Sequence, residues 1–201
     1  MKCTAFITFP ILAVLLVLAP TALASNTWYV NGASGNDGND CKTPTIACRT
    51  IGHAISLAAS GDSIIVAPAT YTENLHISFS LSVIGSGAST TIIDGEQRAK
   101  VVTIGSGIQV SLSSLTIRNG YVSASWKGCC ENVIGGSGIY NDGTPTINES
   151  TVSGNTVSAT VTCTLVFGCG GGVFGGGIYN TGSLTLNNST RPANPSSAVE
   201  S

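Results

Sequence analysis

Residues able to do acid–base chemistry are few in this chain, and they do not cluster. The carboxylates Asp62, Glu73, Asp94, Glu96, Glu131, Asp142 and Glu149 are scattered through 201 residues that hold only 10 Asp and Glu against 8 Lys and Arg. One acid and one base can meet from neighbouring turns: Asp94 in "IIDG" and Arg118 in "TIRNG". Paired in that way they are the catalytic candidates, a carboxylate and a basic group within reach of one proton. The competing reading makes Asp94 a turn residue, because Asp-Gly is a turn signal, and Arg118 a solvated charge. His53 and His76 have neither a second histidine nor a cysteine at ligand spacing, so no metal site is expected. "GGGVFG" at 170–175 satisfies Gly-x-Gly-x-x-Gly, but it leads into the β-rich "GIYN" instead of a helix N-terminus. No nucleotide and no other cofactor is expected.

The elements that must position these residues begin after an export signal. "MKCTAFITFPILAVLLVLAPTALAS" carries Lys2, an apolar run and an Ala-x-Ala site at Ala22–Ala24. It reads as a signal peptide over 1–24, with a mature start near Ser25. Nothing later is long and apolar enough to span a bilayer. Six cysteines remain after Cys3, an even number that favours disulfides in an exported chain. A net charge of −2 provides no electrostatic basis for nucleic-acid binding.

Within 25–60, "RTIGHAISLAASGD" reads as one helix. Thr50 caps it, Ile51, Ile55 and Ala58 share a face, and Gly61 ends it. From 61 to 190 only short β-rich runs occur, each closed by Gly, Asn, Asp or Ser. "GSGIYNDGTPTINEST" at 136–151 is copied as "GGGIYNTGSLTLNNST" at 175–190. A repeat of this kind means a solenoid, in which each coil covers the apolar edge of the last. Ile139 over Ile178 and Ile147 over Leu186 point inward in that scheme. Asn141 over Asn180 and Asn148 over Asn187 form amide ladders. Glycines supply the turns, accepting positive φ and close packing.

"GDSIIVAPATYTEN", "LSVIGSGASTTIIDG", "LTIRNG" and the two "GIYN" units resemble bacterial exported proteins of the pectate-lyase-like superfamily. The Gly-rich units are also similar to those of polymorphic outer-membrane proteins, with Ala69 where glycine is usual and without a Phe-x-x-Asn element. The resemblance implies an all-β fold, a right-handed parallel β-helix, here with an N-terminal capping helix. It implies a location in the extracellular space or at the cell surface. Members of that superfamily include adhesins as well as lyases, hydrolases and esterases. The first reading is therefore a non-enzymatic, adhesin-like β-helix, in contact with surface polysaccharide or another cell-surface protein. The second is a polysaccharide lyase, which would use Asp94 and Arg118 and would need calcium. A third is a fragment with no function of its own.

Two further expectations rest on phase. Cys41 and Cys48 close a short loop ahead of the helix. The shift that superposes the repeats also places Cys130 on Cys169, one rung or about 4.8 Å apart, within disulfide range; Cys129 then pairs with Cys163. After "NNST", Arg191 and Pro192 break the pattern, and 191–201 is expected to be a disordered tail. That would leave the last coil open to self-association, as in a shortened chain.

Overall fold

The computed structural model describes residues 25–127, 132–162 and 171–200. Strand β1 (Thr27–Val30) and a short 3-10 turn (Pro44–Ile46) precede helix α1 (Ile51–Leu57). The chain then runs through β2 (Ser63–Val66), β3 (Ala69–Thr72), β4 (Leu75–Ile77), β5 (Leu81–Ile84), β6 (Thr91–Asp94), β7 (Val102–Ile104), β8 (Gln109–Ser113) and β9 (Thr116–Arg118). The second half adds β10 (Tyr121–Lys127), β11 (Asn132–Gly135), β12 (Ile139–Asn141), β13 (Thr144–Asn148) and β14 (Thr151–Ser153). It closes with β15 (Thr156–Thr162), β16 (Gly171–Phe174), β17 (Ile178–Asn180), β18 (Thr185–Asn187) and β19 (Ser196–Glu200). The protein is thus all-β apart from one α-helix among the described residues.

The strands form parallel sheets. One has six strands in the order β1-β2-β5-β8-β13-β18, and two have four, β4-β7-β12-β17 and β3-β6-β9-β14. Smaller sheets β10-β15-β19 and β11-β16 flank them. From β2 onward the chain visits the three larger sheets in rotation, so each strand pairs with one laid down a circuit earlier. Strands of three to five residues suffice because a corner follows each. The corner after the six-stranded sheet is made by Ser114, Glu149 and Asn188, which share a left-handed φ of 55°, 49° and 48°. All three are polar residues unbranched at Cβ, which tolerate this region better than β-branched ones. Glycine is required elsewhere: a Cβ on Gly138 would lie 2.5 Å from the carbonyl oxygen of Gly177 in the next rung.

Parallel register stacks like on like. Ile64, Val83, Leu112, Ile147 and Leu186 form one column, and Tyr71, Ile93, Ile117 and Val152 another. All but Leu186 are buried, and Leu186 is exposed because it stands on the edge strand. The two sequence copies pair as expected, Ile139 with Ile178 and Ile147 with Leu186. Both amide ladders form: Asn141 Nδ2 donates to Asn180 Oδ1 at 2.5 Å, and Asn187 Nδ2 to Asn148 Oδ1 at 2.8 Å.

Helix α1 packs on β1, β2 and β4. Thr50 caps it by accepting from the His53 backbone N–H at 3.2 Å, and Ile51, Ala54 and Ile55 are its buried face. It ends at Leu57, before Gly61, because Asp62 Oδ2 accepts the Ala59 backbone N–H and bends the chain away. Cys41 and Cys48 are bonded, with Cα atoms 5.0 Å apart, and are buried against the same core. The pairings expected for Cys129, Cys130, Cys163 and Cys169 lie outside the described residues.

The expectation of a disordered tail needs correction. Residues 196–200 form β19, parallel to β15, in the same 39-residue register, with Ser196 opposite Val157. Asn194 carries that register past Pro192, since its Oδ1 accepts from Asn155 N and Nδ2 and its own Nδ2 donates to the Val152 carbonyl at 2.9 Å. Proline lacks an N–H, but the rung is held by side-chain amides at that point. No helix of the described residues is long and apolar enough to cross a membrane.

Candidate functional site

Asp94 and Arg118 do meet. They lie opposite each other on β6 and β9, and Arg118 Nε donates to Asp94 Oδ2 at 2.8 Å. Asn119 Nδ2 donates to both oxygens at 3.1 and 2.9 Å, and the Glu96 backbone N–H donates to Oδ1 at 2.9 Å. Burial alone raises the acid's pKa, but these donors outweigh it and hold Asp94 below its ordinary value of 3.8. The result is an ionised carboxylate bound on both oxygens, suited to tying two rungs and a turn together.

This pair has a pH signature. An acid with a depressed folded pKa binds fewer protons folded than unfolded, so its contribution is complete above the unfolded value and is lost as pH falls through the folded one. The stability advantage of the native protein over Asp94→Asn is therefore expected to shrink as pH drops below about 4. Urea midpoints for both proteins across an acid series check this. Parallel profiles would mean that the pair contributes nothing electrostatic.

Three other acids organise the front of the molecule. Asp62 is 2% exposed and accepts from the Trp28 indole N–H at 2.9 Å as well as from Asn26 and Ala59. Glu73 holds the first turn of α1, with Oε1 accepting from Ile51 N at 2.8 Å and Oε2 from Gly52 N at 2.7 Å; burial pushes its pKa up despite these bonds. Asp37 accepts from the Arg49 and Thr50 backbone N–H groups and the Thr50 hydroxyl. These roles are not visible in the sequence, because, the local Ala59–Asp62 bond aside, the partners lie 12 to 36 residues away.

Elsewhere Glu96 pairs with Arg98 in the open at 2.7 Å, Asp142 accepts the Thr181 hydroxyl, and Glu149 stands beside Ser114. Glu131 is outside the described residues. His76 is exposed, in a register row with Thr103, Tyr140 and Tyr179. His53 lies closer to cysteine than its spacing suggests: its ring and the two sulfurs of Cys41 and Cys48 fall within 4.8 Å. Those sulfurs are bonded to each other and so are not thiolates. In "GGGVFG", residues 171–174 are strand β16, and Gly175 at φ 50° leads into β17, so no helix N-terminus follows.

A concavity lies on the outer face of the six-stranded sheet. It is a groove of about 470 Å³ crossing β5, β8, β13 and β18. Register places Thr27, Ser63, Ser82, Ser111, Thr146 and Thr185 in one line across all six strands. A second line, two residues earlier on each strand, holds Ser80, Gln109, Thr144 and Ser183. No charged side chain is among the lining residues. The motif behind it, hydroxyl-x-hydroxyl, is legible in "SLS", "TPT" and "SLT" on three of the four strands, with "QVS" on β8, but the line appears only once the register is known. Compared with family models and with curated proteins, the chain finds no match.

Proposed function

We propose that the chain is an exported, right-handed parallel β-helix of the pectate-lyase-like kind, working without catalysis at the cell surface or in the extracellular space. Its role is adhesion or contact with matrix polysaccharide. The observation that carries this reading is the uncharged, hydroxyl-lined groove crossing four strands. Rotation of the chain through three parallel sheets and the 39-residue register support the solenoid. The Cys41–Cys48 bond accords with export, as does the apolar start of the sequence. Asp94, the acid a lyase would need, has both oxygens committed to Arg118, Asn119 and Glu96. Self-association through the edge strands β17 and β18 belongs to the same proposal, as open strand edges invite pairing.

The test is retention of the purified protein on insoluble polysaccharides, run beside an assay on polyuronate with calcium that follows absorbance of unsaturated products. Retention without product is expected. Turnover of polyuronate would replace this reading by the lyase, and absence of retention on every polysaccharide would remove it.

A further inference from the structure

Resting on that reading, the geometry points to one ligand and one orientation: a neutral, linear polysaccharide lying in the groove along the stacking direction, crossing the strands. Three observations converge on it. The first is spacing. Hydroxyls in the line Ser82–Ser111–Thr146–Thr185 recur once per rung, about every 4.8 Å. One sugar ring of an extended chain covers about one rung, so successive sugars meet equivalent partners.

The second is capacity. Within the groove Ser80 Oγ accepts from Gln109 N, and Thr144 Oγ1 donates to the Ile108 carbonyl. Among the described residues, the hydroxyls of Ser82, Ser111, Thr146 and Thr185 have no protein hydrogen-bond partner. Each hydroxyl can both donate and accept, as the hydroxyls of a sugar do. The third is charge and shape. With no cation to neutralise a uronate and no anion to hold an amino sugar, the groove favours an uncharged chain, and its concavity suits one strand of polymer better than a flat crystal face. Each contact is weak, so affinity must be summed over rungs.

The experiment titrates the full chain with neutral β-1,4-glucan, β-1,4-mannan and β-1,3-glucan oligomers of two to six sugars, following backbone amide shifts by NMR. For at least one series, affinity is expected to rise with each added sugar until about four rungs are spanned, then to level. The shifts should fall on β5, β8, β13 and β18. The double variant Ser111→Val, Thr146→Val should keep the native thermal midpoint and weaken binding by about tenfold, as expected for two lost hydrogen bonds. A charged oligogalacturonate should bind less well than the neutral oligomer of equal length.

Binding that persists in the double variant, or that ignores chain length, would overturn this inference while leaving polysaccharide contact in place at another face. Preference for the oligogalacturonate would overturn the neutral ligand. Absence of binding to all the oligomers and to insoluble polysaccharide would remove both this inference and the function on which it rests.

Discussion

Ile55→Asp is expected to abolish cooperative thermal unfolding and to drive the protein into aggregates. Helix α1 has seven residues, too few to be stable alone, so tertiary packing holds it in place. Its buried face is Ile51 and Ala54, both 0% exposed, and Ile55 at 8%, set over β1, β2 and β4. An aspartate at 55 would bury a carboxylate with no partner, which costs several kcal/mol. A whole domain has only about 5–15 kcal/mol to lose. The helix would leave its site and uncover the apolar front of the sheets, a surface that invites strand addition. Ser56→Asp is the control: one residue along and exposed, it should move the transition little. Circular dichroism melts and light scattering read both. A soluble Ile55→Asp protein with the native melting midpoint would show that α1 covers nothing important.

How much of this was legible beforehand depended on the range of each interaction. The cap of α1 follows from Thr50 and an apolar face within one short segment, and it was read correctly apart from its last turn. That turn is missing because Asp62 takes the Ala59 N–H, a contact three residues long that competes with helix and leaves no mark in the periodicity. The stacking of residues 138–151 on 177–190 was legible because the two copies match without a gap at nine of fourteen positions, and similarity at fixed spacing is what parallel register requires. The Asn141–Asn180 and Asn187–Asn148 ladders followed from it.

The tail was misread for an instructive reason. Apolar alternation is absent from "RPANPSSAVE", yet β19 keeps the 39-residue register because Asn194 repeats the turn role of Asn155. A single amide was the signal, and Pro192 masked it. The Asp94–Arg118 contact was legible because both residues end strands in adjacent circuits, whereas its saturation by Asn119 and Glu96 was not. The groove was hidden for another reason: serine and threonine at strand starts are common, and only register turns them into a line.

Asp62→Ala is expected to lower stability by about 3 kcal/mol at neutral pH, the sum of lost charge-assisted hydrogen bonds and one stranded donor. Asp62 accepts from Asn26 N at 2.7 Å, Asn26 Nδ2 at 3.4 Å, Trp28 Nε1 at 2.9 Å and Ala59 N at 2.9 Å. It therefore joins the approach to β1, the start of β2 and the exit from α1. Alanine would leave the exposed Asn26 and Ala59 to find water, but Trp28, 8% exposed, would keep an indole N–H with no acceptor. Asp62→Asn retains one acceptor oxygen and should recover part of the loss. In a Trp126→Phe background, fluorescence reports Trp28 alone, and its emission should change in Asp62→Ala at temperatures where the protein is still folded. The pH dependence has a definite sign. Burial raises the pKa of Asp62, but the Ala59, Trp28 and Asn26 donors outweigh it and hold it below 3.8, so its contribution is present above that value and is lost as pH falls through the depressed one. The gap between native protein and Asp62→Ala should accordingly narrow in acid. A gap of constant size, or no gap at pH 7, would mean that the front of the molecule is held by α1 and the Cys41–Cys48 bond without help from this carboxylate.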